Sequence, residues 1–125
     1  ASYGSKAWVK WPNDIYLEDK KIGGVITILF GKNVVCGVGC NLVSAPSYAD
    51  VLDIKMIQEE LINSYLHLVE KRVSWKEVFR IFSVQFDKSR DWFVHAQEER
   101  ISLRDAILCE DGSVTVNSQR MTSSR

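Results

Sequence analysis

Three short clusters combine residue types suited to holding an anionic ligand: Lys10-Trp11-Pro12-Asn13-Asp14, Lys20-Lys21-Ile22-Gly23-Gly24-Val25 and Gly37-Val38-Gly39-Cys40-Asn41. A lysine held in place offsets charge on carboxylate or phosphoryl oxygens. Glycines without side chains let backbone come close to a ligand. Asn13 and Asn41 each offer a donor and an acceptor that suit adenine, ribose or phosphate. Each feature also has a plain structural explanation. Lys21 in a Lys-Lys pair is ordinarily solvated, Asn13 and Asn41 are common turn or strand-end residues, and paired glycines can relieve crowding beneath a helix.

The elements that must position these residues follow from pattern. Ala7 to Trp11 reads as a strand stopped by Pro12, which cannot donate to a ladder, and Ile15 to Leu17 resumes extended structure. After the charged turn Glu18-Asp19-Lys20, the β-branched run Ile22 to Phe30 and the run Val34 to Leu42 form a hairpin around Gly31-Lys32-Asn33. A three-residue turn pairs Phe30 with Val34, Ile28 with Cys36, Ile26 with Val38 and Gly24 with Cys40. One face is then wholly apolar, and Gly23, Gly37, Gly39 and Asn41 share the other with Lys21 beyond them. A two-residue turn would mix the faces.

Val43 to Leu52 reads as a long loop, in which Tyr48 has a ring able to cover adenine. A helix capped by Asp53 follows, with Ile54, Ile57, Leu61, Tyr65 and Leu68 at helical spacing and an end near Lys71-Arg72. A second helix has the capping-box pair Ser74 and Glu77, and its stripe of Trp75, Val78, Phe79, Phe82 and Phe86 reads as core. Ile101 to Leu103, Ala106 to Cys109 and Val114 to Val116 suggest a small β appendage. Ser2 to Ser5 reads as a flexible lead, and Met121 to Arg125 as polar residues without closing structure.

The chain of 125 residues suits one packed domain, with 46% hydrophobic and 10% aromatic residues. Sixteen basic residues balance sixteen acidic ones, so no overall field favours nucleic acid or an anionic membrane, and any anion must be held locally. No apolar run approaches the roughly 20 residues of a membrane span, and no signal-peptide pattern is visible. These features lead to the expectation of a soluble, cytoplasmic protein. Cys36, Cys40 and Cys109 form neither a disulfide pattern nor, with His67 and His95 in helical contexts, a metal-ligand spacing. The start at Ala1 without methionine suggests a piece of something longer.

The ordered succession of the three clusters resembles the catalytic domain of biotin protein ligases. The resemblance implies an α+β fold: a mixed β-sheet with packed helices, truncated at the N-terminus, with a partial catalytic domain at 1–99 and a small C-terminal β domain at 100–125. It implies ATP-dependent formation of biotinyl-5′-AMP and transfer of biotin to a lysine of a biotin carboxyl carrier protein. ATP and Mg²⁺ are then required, and biotin and the carrier are the partners. By this resemblance Lys21 is catalytic and biotin-binding, and Gly23, Gly24, Gly37 and Gly39 form the biotin wall. Asn13 and Asn41 contact the nucleotide, and Lys10 and Trp11 brace the site. Asp14 holds Mg²⁺, orients the carrier lysine or deprotonates it, three roles the residues leave open. The family's glycine- and arginine-rich segment, which normally precedes the Lys-Trp-Pro-Asn-Asp motif, has no counterpart here, so the isolated chain is expected to be inactive. Lipoate ligases, which share an Asn-Asp pair before a lysine, and a non-catalytic scaffold are the alternatives. Homodimerisation is left open.

Overall fold

Pro12 ends the first strand and an Asn-Asp turn begins the second, so the chain opens on an antiparallel hairpin of β1 (Trp8–Lys10) and β2 (Asp14–Leu17). A computed structural model of the chain describes residues 4–96 and 98–122. Ser2 and Tyr3 of the expected lead, and residues 123–125 of the expected tail, lie outside these. The long β-branched run forms β3 (Lys20–Phe30), and β4 (Asn33–Cys40) returns beside it. The four strands form one antiparallel sheet in the order β1-β2-β3-β4, and the loop at Ala49 adds a parallel bridge to Lys21. Together with two helices this is an α+β fold.

The hairpin register departs from the sequence expectation. Phe30 pairs with Asn33, Ile28 with Val35, Ile26 with Gly37 and Gly24 with Gly39, which leaves a two-residue turn of Gly31 and Lys32. Gly31 adopts φ +63°, the conformation that two-residue hairpin turns with glycine at their first position require. Segregation of apolar residues had favoured the longer turn. Instead, both faces of the distal ladder carry aliphatic residues, and Ile28, Leu29, Phe30, Val34 and Val35 are all more than half exposed. With no single face buried there, face segregation exerts little force on the register.

Helix α1 (Gln58–Glu70) starts later than expected. Its N-cap is Ile57, without a side-chain cap, because the Asp53 carboxylate is engaged elsewhere. It accepts hydrogen bonds from the Ser5 hydroxyl at 2.5 Å and the Lys6 amide at 2.8 Å, which hold its carboxyl below the usual range. Helix α2 (Trp75–Ser89) begins as the sequence predicts, with Ser74 Oγ accepting from the Glu77 amide. Its aromatic stripe is less buried than expected. Phe86 is buried and Phe82 packs partly against the core, whereas Trp75 is half exposed and donates its indole N–H to the Glu110 carbonyl.

The C-terminal part contains more strand than periodicity suggested. β5 (Phe93–Ala96) pairs with β6 (Glu99–Ser102), which puts His95 on a strand and not a helix, and β7 (Ile107–Leu108), β8 (Val114–Val116) and β9 (Gln119–Met121) make a three-stranded sheet. Met121 therefore closes a strand and does not begin a polar tail. The expected boundary between residues 99 and 100 falls inside the β5–β6 hairpin. Trp11, Phe86, Leu103, Ala106, Val114 and Val116 form the core cluster, so residues from the Lys-Trp-Pro-Asn-Asp motif, α2 and the last strands meet in one place. Replacing Phe86 by alanine is expected to lower unfolding stability by about 3–5 kcal/mol. A urea titration would measure this, and a loss under about 1 kcal/mol would show that this cluster does not hold the fold together.

Candidate functional site

The motif that begins the site is fixed from behind. Trp11 is buried; its amide donates to Ser89 Oγ at 3.0 Å, and its indole N–H donates to the Gly112 carbonyl at 2.9 Å. Trp11 is thus a core anchor that holds Asn13 and Asp14 at the start of β2. The next feature is an irregularity between β2 and β3. Ile15 pairs with Gly23, but Tyr16 pairs with Lys21, so Ile22 is an extra residue on β3. In regular strand, Lys21 and Gly24 would face opposite sides of the sheet, since side chains alternate. The bulge resets that alternation.

As a result, one face carries Lys10, Asp14, Tyr16, Lys21 and Gly24, with Gly39 and Gly37 following across β4. Lys21 Nζ lies 2.9 Å from Asp14 Oδ1. A Cβ placed on Gly24 would come 3.2 Å from that same oxygen and 3.7 Å from Lys21 Cε, so the bare backbone of Gly24 lies directly under the ion pair. Asp14 Oδ1 is buried from water, and although Lys21 stands beside it as a charge, no donor points along a hydrogen-bonding direction. Such an oxygen retains capacity for a donor from a ligand.

Gly23 differs from the other glycines. It pairs with Cys40 on the opposite face from Gly24, Gly37 and Gly39, whereas the sequence register grouped it with Gly37 and Gly39. A Cβ there would lie 2.1 Å from the Gly39 carbonyl oxygen, so glycine is required at this position by backbone packing alone. A Cβ on Gly37 or Gly39 meets nothing closer than 4.0 Å, and these two leave open floor.

The two asparagines are engaged with backbone. Asn13 donates its amide to the Val25 carbonyl at 2.7 Å, and the Asn13 carbonyl accepts from Val25 N–H at 2.9 Å. Asn41 donates to the Asp50 carbonyl at 3.1 Å, and its own carbonyl accepts from Leu52 N–H. Both therefore tie segments to β3 and to the long loop through the same groups that a nucleotide acceptor would use. Tyr48 is largely exposed. Among the described residues no group of three or more histidine, cysteine or acidic side chains could hold a metal ion. Among the described residues, Asp14 is the one carboxylate in the ladder positions of this face, which suits an ion carried mainly by ligand phosphates.

Sequence reasoning passed over two partners. Tyr16 lies beside Lys10, whose ammonium sits 4.8 Å from the Tyr16 ring centre and 4.3 Å from that of Trp92. Burial raises the Tyr16 hydroxyl above its ordinary pKa, reinforced by the Asp14 carboxylate. The period-two placement of Asp14 and Tyr16 on β2 could have revealed Tyr16. Trp92, beyond α2, gave no local signal.

Residues 2–41 match the Biotin/lipoate A/B protein ligase family. Within that family the likeness is to biotin protein ligases. The biotin acetyl coenzyme A carboxylase synthetase of Helicobacter pylori, solved with bound biotinylated ATP, superposes with a TM-score of 0.88 at 37% identity, over 95% of this chain and 56% of that one. The bifunctional ligase/repressor BirA of Escherichia coli is 45% identical over 42 residues, covering 30% of this chain and 13% of the relative. The protein of the same name in Salmonella typhimurium is 35% identical over 63 residues, covering 46% and 17%. The chain thus spans a small part of these two relatives and about half of the solved structure.

The geometry separates two kinds of glycine by experiment. Gly23→Ala is expected to cost more than about 2 kcal/mol in thermal or denaturant unfolding, since backbone must move. Gly39→Ala should stay within about 0.5 kcal/mol of the parent chain. Equal stabilities for the two variants would contradict the observed register.

Proposed function

We propose that this chain provides the lysine and glycine wall of a biotinyl-adenylate site. In this reading, the protein it serves joins biotin to ATP and passes the biotin to a lysine of a biotin carboxyl carrier protein. The observation that carries the proposal is the Lys21–Asp14 pair lying over Gly24, in a fold closely similar to a synthetase that holds biotinylated ATP. Attack of the biotin carboxylate on the α-phosphate brings two anionic groups together. Lys21 would reduce their repulsion and stabilise the charge that builds on the phosphoryl oxygens, where preorganised cations have most effect. Gly24, Gly37 and Gly39 would let the ligand lie flat against the sheet.

Asp14 would act on the second half-reaction. The carrier lysine arrives as an ammonium, which is not a nucleophile, and a carboxylate beside the reacting carbon can orient it or take its proton. Mg²⁺, if carried on the ATP phosphates, would supply further charge neutralisation, with Asp14 as its protein contact. Asn13 and Asn41 would act on the nucleotide through the backbone they hold. A cytoplasmic location fits an ATP-dependent reaction on a carboxylase carrier. The share of the solved relative that the chain spans supports the further proposal that the chain alone does not turn over.

The lipoate reading stays open because the matched family includes both acids. Supplying the intact protein with ATP and either biotin or lipoate should give pyrophosphate release with biotin alone. Lys21→Ala should lower that release about 10²–10³-fold with the far-ultraviolet circular dichroism unchanged, Lys21 being partly exposed. Release driven by lipoate, or release that survives the substitution, would overturn the proposal.

A further inference from the structure

The Lys21–Asp14 pair creates an electrostatic problem for an anionic ligand. A lysine 2.9 Å from a carboxylate forms a pair without net charge, whose pull on a carboxylate or phosphate falls away quickly with distance. The face has a second cation. Lys10 lies directly across the β1–β2 ladder from Asp14. Its ammonium sits over Tyr16 and Trp92, and its Nζ donates to the Tyr16 hydroxyl at 3.4 Å. The two rings meet edge to face with centroids 5.0 Å apart, forming the walls of a small cage.

Rings attract a cation without cancelling its charge. The cage therefore holds Lys10 in place without a counter-charge, whereas a second carboxylate would cancel its net charge. Burial lowers the pKa of Lys10, the nearby Asp14 carboxylate works against that shift, and Lys21 adds to it. Lys10, Asp14 and Lys21 together carry one surplus positive charge. The cage is also tied to the C-terminal strands, since Leu103 N–H donates to the Trp92 carbonyl at 3.1 Å.

We infer that Lys10, caged by Tyr16 and Trp92, is a positioning residue that shares Asp14 with Lys21, so that the Lys21 ammonium can turn toward a carboxylate or phosphoryl group of the ligand. This rests on the adenylate-forming reading of the same face. Lys10 acts through Asp14 and does not itself touch the ligand. Removing its charge leaves Asp14 with Lys21 as its sole cation, and Lys21 stays locked in the pair.

Calorimetric titration of the intact protein, its Lys10→Met variant and its Lys10→Arg variant tests this with three probes: biotin, neutral biotinamide and inorganic pyrophosphate. Methionine keeps an apolar stem and removes the charge, whereas arginine keeps the charge and stacks on aromatic rings. Lys10→Met should weaken biotin and pyrophosphate about tenfold while biotinamide stays within about twofold, and Lys10→Arg should recover most of the loss. A merely structural role would weaken all three probes together, and that result overturns the inference. So does unchanged anion binding in Lys10→Met, an absence of pyrophosphate binding in the parent protein, or an arginine variant as weak as the methionine one. If the parent binds pyrophosphate in a Lys10-dependent way but does not bind biotin, the proposed function fails and the role of Lys10 stands.

Discussion

Ile22 is one residue too many for a regular ladder, and the candidate site depends on that excess. Strand geometry would place Lys21 and Gly24, three residues apart, on opposite faces of the sheet. With Ile22 accommodated as a bulge opposite the Ile15–Tyr16 step, both come to the face that already carries Asp14 and Tyr16. The bulged residue is fully buried, and its carbonyl accepts from the Asn41 amide at 2.7 Å. The irregularity is thereby locked from the β4 side. Charge, glycine floor and carboxylate converge because the alternation of one strand is reset at one point.

That convergence also explains why the adjacent glycines are not equivalent. The bulge brings β3 backbone close to β4 at Gly23, where a side chain would collide with the Gly39 carbonyl. One step on, Gly24 faces Asp14 and Lys21, with room limited by their side chains and by the Asn13 carbonyl. The first glycine is needed to build the sheet, and the second keeps space above it. A substitution at one therefore tests folding, and at the other tests access of a ligand to the ion pair.

Much of this was legible in the sequence, and the failures have identifiable causes. The strands that carry the motif and the second helix with its Ser74 cap follow from local chemistry and order, whereas Gly23 and Gly24 exchange the faces that the sequence pattern gives them. The hairpin register did not, because segregation of apolar residues decides register only where a face is buried, and Ile28, Leu29, Val34 and Val35 are exposed on both faces. Asp53 was a reasonable helix cap by type, but long-range hydrogen bonds to Ser5 and Lys6 claimed it. β5 was hidden because its four residues carry no turn signal before them. The cage around Lys10 needs Trp92, far along the chain from Tyr16, and no periodicity links them.

The site lies where a rigid end of the sheet meets an open one. On one side Trp11, pinned by Ser89 and Gly112, joins the motif to the core formed by Phe86, Leu103 and Val114. On the other, β3 and β4 run outward with aliphatic side chains exposed. A charged pair placed at the rigid end loses little entropy when it holds its geometry, since its strand is already fixed by the core. Lys21 still keeps a partly exposed side chain. In the proposed role, a cation that first neutralises a partly buried carboxylate and then serves a ligand needs a fixed carboxylate and a mobile ammonium. Asp14 follows the anchored Trp11, and Lys21 follows the turn, so each has the freedom its proposed role requires.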